Sequence, residues 1–316
     1  MKKYHFKKIS LIGIGLIGSS IALAVKKSTK NTYISLFDNN YKIRQEAKKI
    51  GLGNEVSDKI VDCVKKSELV ILSVPVGSMK SVMEMIAPHL DDGTIITDTG
   101  STKSSVYKDI TPFLPKKCFF IGGHPLAGTE FSGPNSGFPS LFQGRYWLII
   151  PEDNPEKEVK KVENFCKSIG AMTERMDLEY HDKVIALTSH LPHLIAFTIV
   201  RTAANLEQDL KNDVIRFSAS GFRDFTRIAS SDPIMWRDIF LNNEKSILEM
   251  LKRFNDDLDF FQTCIKSKQG EKLLDLFTKT REIRKSIVDA RQDVPEENKA
   301  KRYFKYSRNS NFTDGQ

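Results

Sequence analysis

The stretch KISLIGIGLIGSS, residues 8–20, decides the fold because a short apolar run leads directly into three glycines at a fixed spacing. The run predicts a buried β-strand, and the glycines stand where a helix would begin. In that setting Gly13 permits a tight turn, Gly15 lets a pyrophosphate approach the backbone, and Gly18 allows the helix to pack closely on the strand. The helix N-terminus would offer its free N–H groups to the phosphates. The stretch therefore predicts a dinucleotide-binding site.

An acidic residue strengthens this prediction. Asp38 ends the second strand candidate, YISLFD (33–38), 20 residues after Gly18. A carboxylate there can bind both ribose hydroxyls and would repel a 2′-phosphate, which favours NAD over NADP. Arg44 lies nearby and keeps NADP open, because an arginine can accommodate that phosphate. The predicted cofactor-binding residues are Gly13, Ile14, Gly15, Leu16, Ile17, Gly18, Asp38, Ser73 and Pro75.

The first half of the chain alternates short apolar runs with segments of helical spacing. The runs are apolar almost throughout, as in parallel strands that are covered on both faces. This alternation predicts an α/β fold, a Rossmann-type doubly wound parallel sheet with right-handed crossovers. The strand candidates are residues 8–14, 33–38, 68–75, 93–99, 118–123 and 146–151.

After about residue 170 the pattern becomes helical. The segment 177–206 has helical spacing over a length that no ordinary strand reaches, and Pro192 should kink or divide it. Long helices with broad apolar faces also favour a homodimer formed through this region. Further helix candidates span 233–267 and 271–292. The expected organisation is a Rossmann domain over 1–170, an all-helical substrate-binding and dimerisation domain over 171–294, and a polar tail over 295–316.

Composition limits the class of protein. The chain has 316 residues, of which 40% are hydrophobic and 28% charged, as in soluble globular proteins. Its four cysteines lie far apart, which indicates neither a zinc site nor a disulfide framework and favours the cytoplasm. The apolar N-terminus lacks a cleavage site, and no other segment approaches the roughly 20 apolar residues of a membrane span. The net charge of +8 is compatible with a field that attracts a small anionic substrate. Binding of nucleic acid by the basic tail is a weaker alternative explanation of this charge.

The stretch GGHPLAG (122–128) places His124 just after a late strand candidate, where ligands of open α/β sheets gather. A lone histidine is more often a structural residue, so its role depends on what surrounds it. The stretch DTGSTK (98–103) follows another strand candidate and supplies three hydroxyls, and the first part of the stretch 221–238 supplies two candidate arginines from the helical half. These side chains are Thr99, Ser101, Thr102, Arg223 and Arg227.

Five motifs occur together and in order: GIGLIGSS, DTGSTK, GGHPLAGTEFSGP, SHLPHLIAF and FRDFTRIASSDPIMWRD. They resemble the prephenate/arogenate dehydrogenase family of tyrosine biosynthesis, and the resemblance covers roughly residues 6–290. It implies oxidation of a C4 alcohol to NAD with loss of CO2 from C1. It also implies that His124 accepts the hydroxyl proton, that Ser101 bridges the hydroxyl and the nicotinamide and could orient His124, and that Arg227 binds a substrate carboxylate. For Arg227 the residues alone left open a surface ion pair with Asp224 or Asp232.

The resemblance assigns further residues to the substrate pocket. His193 would line it, and Thr129 and Glu130 would face the side chain at C1, where prephenate has a keto group and arogenate an ammonium. A carboxylate at Glu130 could pair with that ammonium; the family favours a prephenate or dual-substrate enzyme. His190 is expected to be a packed residue and Trp236 a core tryptophan. We predict no metal site.

Two alternatives remain at this stage. A β-hydroxyacid dehydrogenase also joins a Rossmann domain to a helical one, but it relies on a lysine of the helical domain. A non-catalytic NAD-binding regulator would not need Ser101, His124 and Arg227 together. We expect no regulatory domain after residue 295 and no mutase helix before the first strand, so feedback by tyrosine would act at the active site itself.

Overall fold

The computed structural model describes residues 6–29, 31–129, 131–206, 212–214 and 216–289. Its main sheet has six parallel strands in the order β3-β2-β1-β4-β5-β6. The order reverses direction between β1 and β4, which is the position of the ligand crevice in doubly wound sheets. The predicted fold class is confirmed. The strands are β1 (Lys8–Ile12), β2 (Tyr33–Phe37), β3 (Glu55–Val56), β4 (Leu69–Leu72), β5 (Ile95–Asp98) and β6 (Phe119–Phe120).

Helices cover both faces of this sheet, which explains why its strands are apolar almost throughout. On β4, Leu69 and Ile71 pack into one apolar cluster and Val70 and Leu72 into another, and all four are fully buried. Alternate side chains of a strand point to opposite faces, so a strand with two buried faces needs apolar residues at every position. The helices of this half are α1 (Leu16–Ser28), α2 (Tyr41–Lys49), α3 (Ile60–Val64), α4 (Met79–Ile86), α5 (Ser104–Ile110) and α6 (Glu156–Ser168).

A second sheet corrects the expectation of a single one. It contains β7 (Gly122–Pro125), β8 (Tyr146–Ile150) and β9 (Met172–Arg175); β7 and β8 are antiparallel, whereas β8 and β9 are parallel. The strand candidate 146–151 therefore belongs to the second sheet and not, as expected, to the main one. The strand candidate 118–123 contributes β6 to the main sheet and the start of β7 to the second. The chain leaves the main sheet at Gly123, where an added Cβ would lie 2.7 Å from the backbone oxygen of Asp98, so a larger residue could not pass the end of β5.

The described residues are helical from Leu178 onward, whereas the all-helical region was expected from residue 171; β9 (Met172–Arg175) still belongs to the second sheet. The first helix of this region runs from α7 (Leu178–Ile185) through a π-helical turn (Ala186–His190) into α8 (Leu191–Ala204). Pro192 does not divide this helix. Proline has no backbone N–H to donate, but Pro192 directly follows the π turn, where the backbone hydrogen bonds are already shifted from the α-helical pattern. Further helices among the described residues are α9 (Ser220–Thr226), α10 (Pro233–Asn242), α11 (Glu244–Lys266) and α12 (Gly270–Asp289).

The expectation that no segment reaches the apolar length of a membrane span was wrong. The helix Leu178–Ala204 has 27 residues and, by length and composition alone, could cross a bilayer. Only 28% of its most apolar window is buried within this chain. The core helix of a soluble protein meets the same criterion, and one such helix is weak evidence for a membrane span.

Candidate active site

The glycine turn has the geometry that the sequence predicted. Gly13 has φ +93°, and a Cβ on it would lie 2.3 Å from the backbone oxygen of Ser73, so no other residue fits. A Cβ on Gly18 would lie 2.1 Å from the oxygen of Gly13, which shows how closely the helix packs on the turn. At Gly15 nothing described lies within 4 Å of the Cβ position, and no described side chain caps α1. The open side of the turn and the free N–H groups together fit a pyrophosphate.

Asp38 lies directly beside this turn. Its Oδ2 accepts a hydrogen bond from the Ile14 N–H at 2.9 Å, and its Oδ1 accepts one from the Asn40 N–H at 2.9 Å. The carboxylate is thus fixed at the end of β2 with lone pairs left for ribose hydroxyls. The Arg44 Nη1 donates to the Asp38 carbonyl at 2.8 Å, so the guanidinium is held at the same corner.

The other predicted cofactor residues follow the next strands. Ser73 is half-buried after β4, and its hydroxyl accepts a hydrogen bond from Thr99, which follows β5, at 3.3 Å. Pro75 is exposed beside it, and Ser101 is half-buried on the loop after β5. The structure therefore brings the residues after β1, β2, β4 and β5 to one edge of the sheet, because parallel strands end on the same side.

His124 lies at this edge, within β7 rather than in a loop. It pairs with Leu148 across the second sheet, and 7% of its surface is exposed. The preceding Gly123 N–H donates to Asp98 Oδ1 at the carboxyl end of β5, at 3.0 Å. Burial lowers the pKa of His124 well below its ordinary value, and the neighbouring His181 lowers it further. The imidazole is therefore neutral at pH 7, as a proton acceptor must be.

A chain of buried polar groups backs His124. Its Nδ1 lies 2.9 Å from Nε2 of His181, and Nδ1 of His181 lies 2.9 Å from Oδ1 of Asp182. The Asp182 carboxylate also accepts hydrogen bonds from the backbone N–H groups of Lys103 and Ser104, at 2.8 and 2.9 Å, at the start of α5. Burial alone would raise the pKa of Asp182, but the hydrogen bonds from His181 and Ser104 hold it below its ordinary value.

Neither His181 nor Asp182 was among the site residues predicted from the sequence. His181 and Asp182 lie next to each other in the first turns of α7, and such an adjacent His–Asp pair is the signal that could have identified them. Ser101 was expected to orient His124; in the structure the hydrogen-bond partner of His124 Nδ1 is Nε2 of His181.

A buried ion pair fixes the strand that carries His124. Lys103 and Asp98 have fully buried side chains and are in direct contact. The Lys103 ammonium also donates to the Gly123 carbonyl at 2.8 Å, and Asp98 accepts from the Gly100 N–H at 2.8 Å. Both members of the pair therefore hold Gly123, one through its carbonyl and the other through its N–H. Sequence analysis did not single out either residue.

His193 is half-buried on α8, and the turn Arg227–Ser230 packs against that helix. The Nδ1 of His193 pairs with the Ser189 carbonyl at 2.9 Å, and its ring stacks on Trp236 with 3.7 Å between the centroids. Burial lowers the pKa of His193, and the positive charge of Arg227 lowers it further. Trp236 is buried, as expected, but it also forms the wall behind His193. His190 is packed and hydrogen-bonded, as expected. It is fully buried, and the Asn243 side chain donates a hydrogen bond to its Nδ1 at 3.2 Å.

The remaining predicted residues lie at the periphery or outside the described structure. Thr129 is exposed, and its hydroxyl accepts a hydrogen bond from the Phe131 N–H at 3.3 Å. Arg223 is exposed on α9. Glu130 and the tail 295–316 lie outside the described residues.

Comparison with known proteins places both halves of the chain in one family. The family model "prephenate dehydrogenase, nucleotide-binding domain" matches residues 21–175, and "prephenate dehydrogenase, dimerization domain" matches residues 177–279. The cyclohexadienyl dehydrogenase of Zymomonas mobilis is 40% identical over 283 residues, which are 89% of this chain and 96% of that protein. The prephenate dehydrogenase of Bacillus subtilis is 35% identical over 281 residues, 88% of this chain and 76% of that protein.

A solved structure extends the similarity to three dimensions. The prephenate dehydrogenase of A. aeolicus, in complex with hydroxyphenyl propionate and NAD+, is 31% identical to this chain. It superposes with a TM-score of 0.84 over 90% of this chain and 100% of that one.

Proposed function

The chain belongs to the prephenate dehydrogenase family, and from that premise we propose that it oxidises prephenate to 4-hydroxyphenylpyruvate and CO2, with arogenate as an alternative substrate. It is a dehydrogenase of tyrosine biosynthesis that uses NAD. The observation that carries the proposal is the position of His124, a buried neutral imidazole at the sheet edge where the glycine turn and Asp38 also lie.

The NAD site is built by this chain's own residues. The turn around Gly13 and Gly15 and the start of α1 would hold the pyrophosphate, Asp38 the ribose hydroxyls, and Ser73 and Pro75 would flank the nicotinamide side. When bound, NAD accepts the hydride from C4 of the substrate.

His124 accepts the proton of the substrate hydroxyl and later returns it. Its imidazole accepts the hydroxyl proton as the hydride leaves C4, which forms a C4 carbonyl. The bond between C1 and its carboxylate then breaks, and its electron pair completes the aromatic ring as CO2 departs. The C4 oxygen takes the proton back from His124, so the histidine ends the reaction neutral. Ser101 would orient the substrate hydroxyl toward this imidazole.

Substrate carboxylates require a fixed cation, and we assign this role to Arg227. A guanidinium binds a planar carboxylate through two parallel hydrogen bonds. The turn that begins at Arg227 packs against α8, and the positive charge of Arg227 lowers the pKa of the His193 ring on that helix; both observations support a position of the two side chains at one wall of the proposed pocket. The exposed Thr129 and the neighbouring Glu130 would meet the C1 side chain.

Replacing Arg227 with Ala should raise KM for prephenate by about 10–100-fold, because a charge-assisted hydrogen bond contributes about 1.5–3 kcal/mol to binding. The kcat at saturating prephenate and KM for NAD should change little. Steady-state kinetics check this, with Arg253→Ala at an exposed arginine of α11 as the matched control. An unchanged KM for prephenate in Arg227→Ala would contradict the assignment.

The proposed activity is tested by following absorbance at 340 nm with prephenate or arogenate and with NAD or NADP. We expect the highest kcat/KM with prephenate and NAD, because Asp38 disfavours a 2′-phosphate. Higher kcat/KM with arogenate would identify the alternative substrate. Absence of NADH formation with both substrates would contradict the proposal and leave a non-catalytic NAD-binding protein.

We further propose a homodimer in the cytoplasm, formed through the helical half. The match to a dimerization-domain model over 177–279 supports the dimer. Large apolar side chains that lie more than two-fifths exposed on α11 and α12 would be covered in it. They are Leu248, Leu258, Phe260, Ile265, Leu274, Phe277, Ile283, Ile287 and Val288.

A further inference from the structure

The hydrogen bonds behind His124 have a defined direction, and it begins at Asp182. This carboxylate accepts N–H bonds from Lys103 at Oδ1 and from Ser104 at Oδ2, so it is held as an acceptor. Since a carboxylate has no proton to give, Nδ1 of His181, 2.9 Å from Oδ1, has to be the donor. A neutral imidazole carries one N–H, which leaves Nε2 of His181 as an acceptor.

The same reasoning then applies to His124. Its Nδ1 lies 2.9 Å from the acceptor Nε2 of His181, so Nδ1 carries the proton. We infer that His181 and Asp182 are positioning residues that fix the tautomer of His124 and leave its Nε2 as the unprotonated atom that meets the substrate. This inference rests on the proposed role of His124 as proton acceptor and specifies how the chain prepares it.

The arrangement also supports His124 after it has accepted the proton. The positive charge that develops on its ring faces a hydrogen-bonded path to the Asp182 carboxylate through His181, with no proton transfer needed along it. All three side chains are at most 7% exposed, so water does not compete for these bonds. The opposite tautomer of His124 would set two acceptors against each other at Nδ1 and would leave no basic nitrogen for the hydroxyl.

The base is thereby coupled to the helical half of the chain. His124 belongs to β7, whereas His181 and Asp182 belong to α7. The Asp182 carbonyl accepts a hydrogen bond from the Asn243 side chain at 2.9 Å, which ties this turn of α7 to the helices that follow. The start of α5 fixes the carboxylate from the other side.

The tautomer is measured directly on the full-length protein, without reference to activity. Nitrogen-15 spectra of the histidine side chains, with the His124 signals identified by their loss in His124→Asn, should show Nδ1 protonated and Nε2 unprotonated at pH 7.5. In His181→Leu the His124 signals should shift toward a mixture of the two tautomers. A proton on Nε2 of His124 in the unaltered protein would overturn the inference, whatever the enzyme's substrate.

Kinetics of two variants test the consequence. His181→Leu removes the acceptor and should lower kcat for prephenate by about 10²-fold, with KM for NAD within about threefold. His181→Gln offers an amide oxygen near the position of Nε2 and should restore kcat to within about tenfold of the unaltered enzyme. The matched controls are His89→Leu and His89→Gln at an exposed histidine, which should leave kcat unchanged.

Equal loss of kcat in His181→Leu and His181→Gln, or normal kcat in His181→Leu, would overturn the inference. If His181→Leu does not fold, the inference is still tested by the tautomer of His124 in the unaltered protein and by the kcat of His181→Gln. Failure of the proposed function has a different signature, because the unaltered enzyme itself would then not oxidise prephenate.

Discussion

Replacing His124 with Asn should lower kcat for prephenate by about 10²–10⁴-fold, the usual contribution of a positioned general base. Asparagine keeps a polar group in the buried site but has no nitrogen that can accept the hydroxyl proton. The Kd for NAD should stay within about threefold, because the glycine turn and Asp38 are untouched. Rapid-quench or steady-state assays give kcat, and fluorescence titration gives the Kd for NAD.

The dependence of kcat on pH in the unaltered enzyme is the reference against which His124→Asn is compared. Burial lowers the pKa values of His124 and His181 below their ordinary 6.5, and the pair also faces His190, the Lys103–Asp98 ion pair and Asp182. Both rings are therefore neutral at pH 7, and kcat should be level from neutral pH upward and fall only as the pH drops below 6.5. The residual kcat of His124→Asn should lack that acid limb. Near-normal turnover in the variant, or the same acid limb, would remove His124 as the base.

Replacing Lys103 with Met should lower the free energy of unfolding by about 3–5 kcal/mol. The methionine keeps most of the apolar stem, but the Asp98 carboxylate loses its counter-charge in a fully buried site. The Gly123 carbonyl also loses its donor, so β7 and His124 would be held less firmly. Urea unfolding followed by circular dichroism measures the change in stability.

The matched control is Lys108→Met, since Lys108 lies exposed on the same helix. Its effect should be at most about 0.5 kcal/mol, as for most surface substitutions. Adding Asp98→Asn to Lys103→Met removes the uncompensated charge and should recover part of the loss. A stability change below about 1 kcal/mol in Lys103→Met would show that the pair is not needed to hold β7.

Features that depend on local backbone geometry could be predicted from the sequence. The turn at Gly13 and the close approach at Gly18 admit only glycine, and that requirement is visible in the spacing of the letters. The clustering of Asp38, Ser73 and Ser101 followed from topology, because parallel strands all end at one edge of the sheet. The two buried faces of β4 likewise explain why unbroken apolar runs identified the strands of the main sheet.

Features that depend on long-range packing could not be predicted in this way. His181 is 57 residues from His124, and Asp182 is 79 residues from Lys103, so no local pattern joins them. The apolar run of β8 looks the same whether it enters a parallel sheet or pairs with β7 in a second one. The π turn before Pro192 could not be predicted either, because helical spacing alone does not indicate how a helix accommodates the N–H that proline lacks.

The central claim is that His124 takes the proton from the alcohol that reduces NAD, and a crystal structure with NAD and 4-hydroxyphenylpyruvate tests it most directly. The distance to measure joins Nε2 of His124 to the phenol oxygen of the product. We predict about 2.6–3.2 Å, with Nδ1 still bonded to His181. A phenol oxygen bound by other groups, with Nε2 of His124 out of hydrogen-bonding reach, would contradict the account.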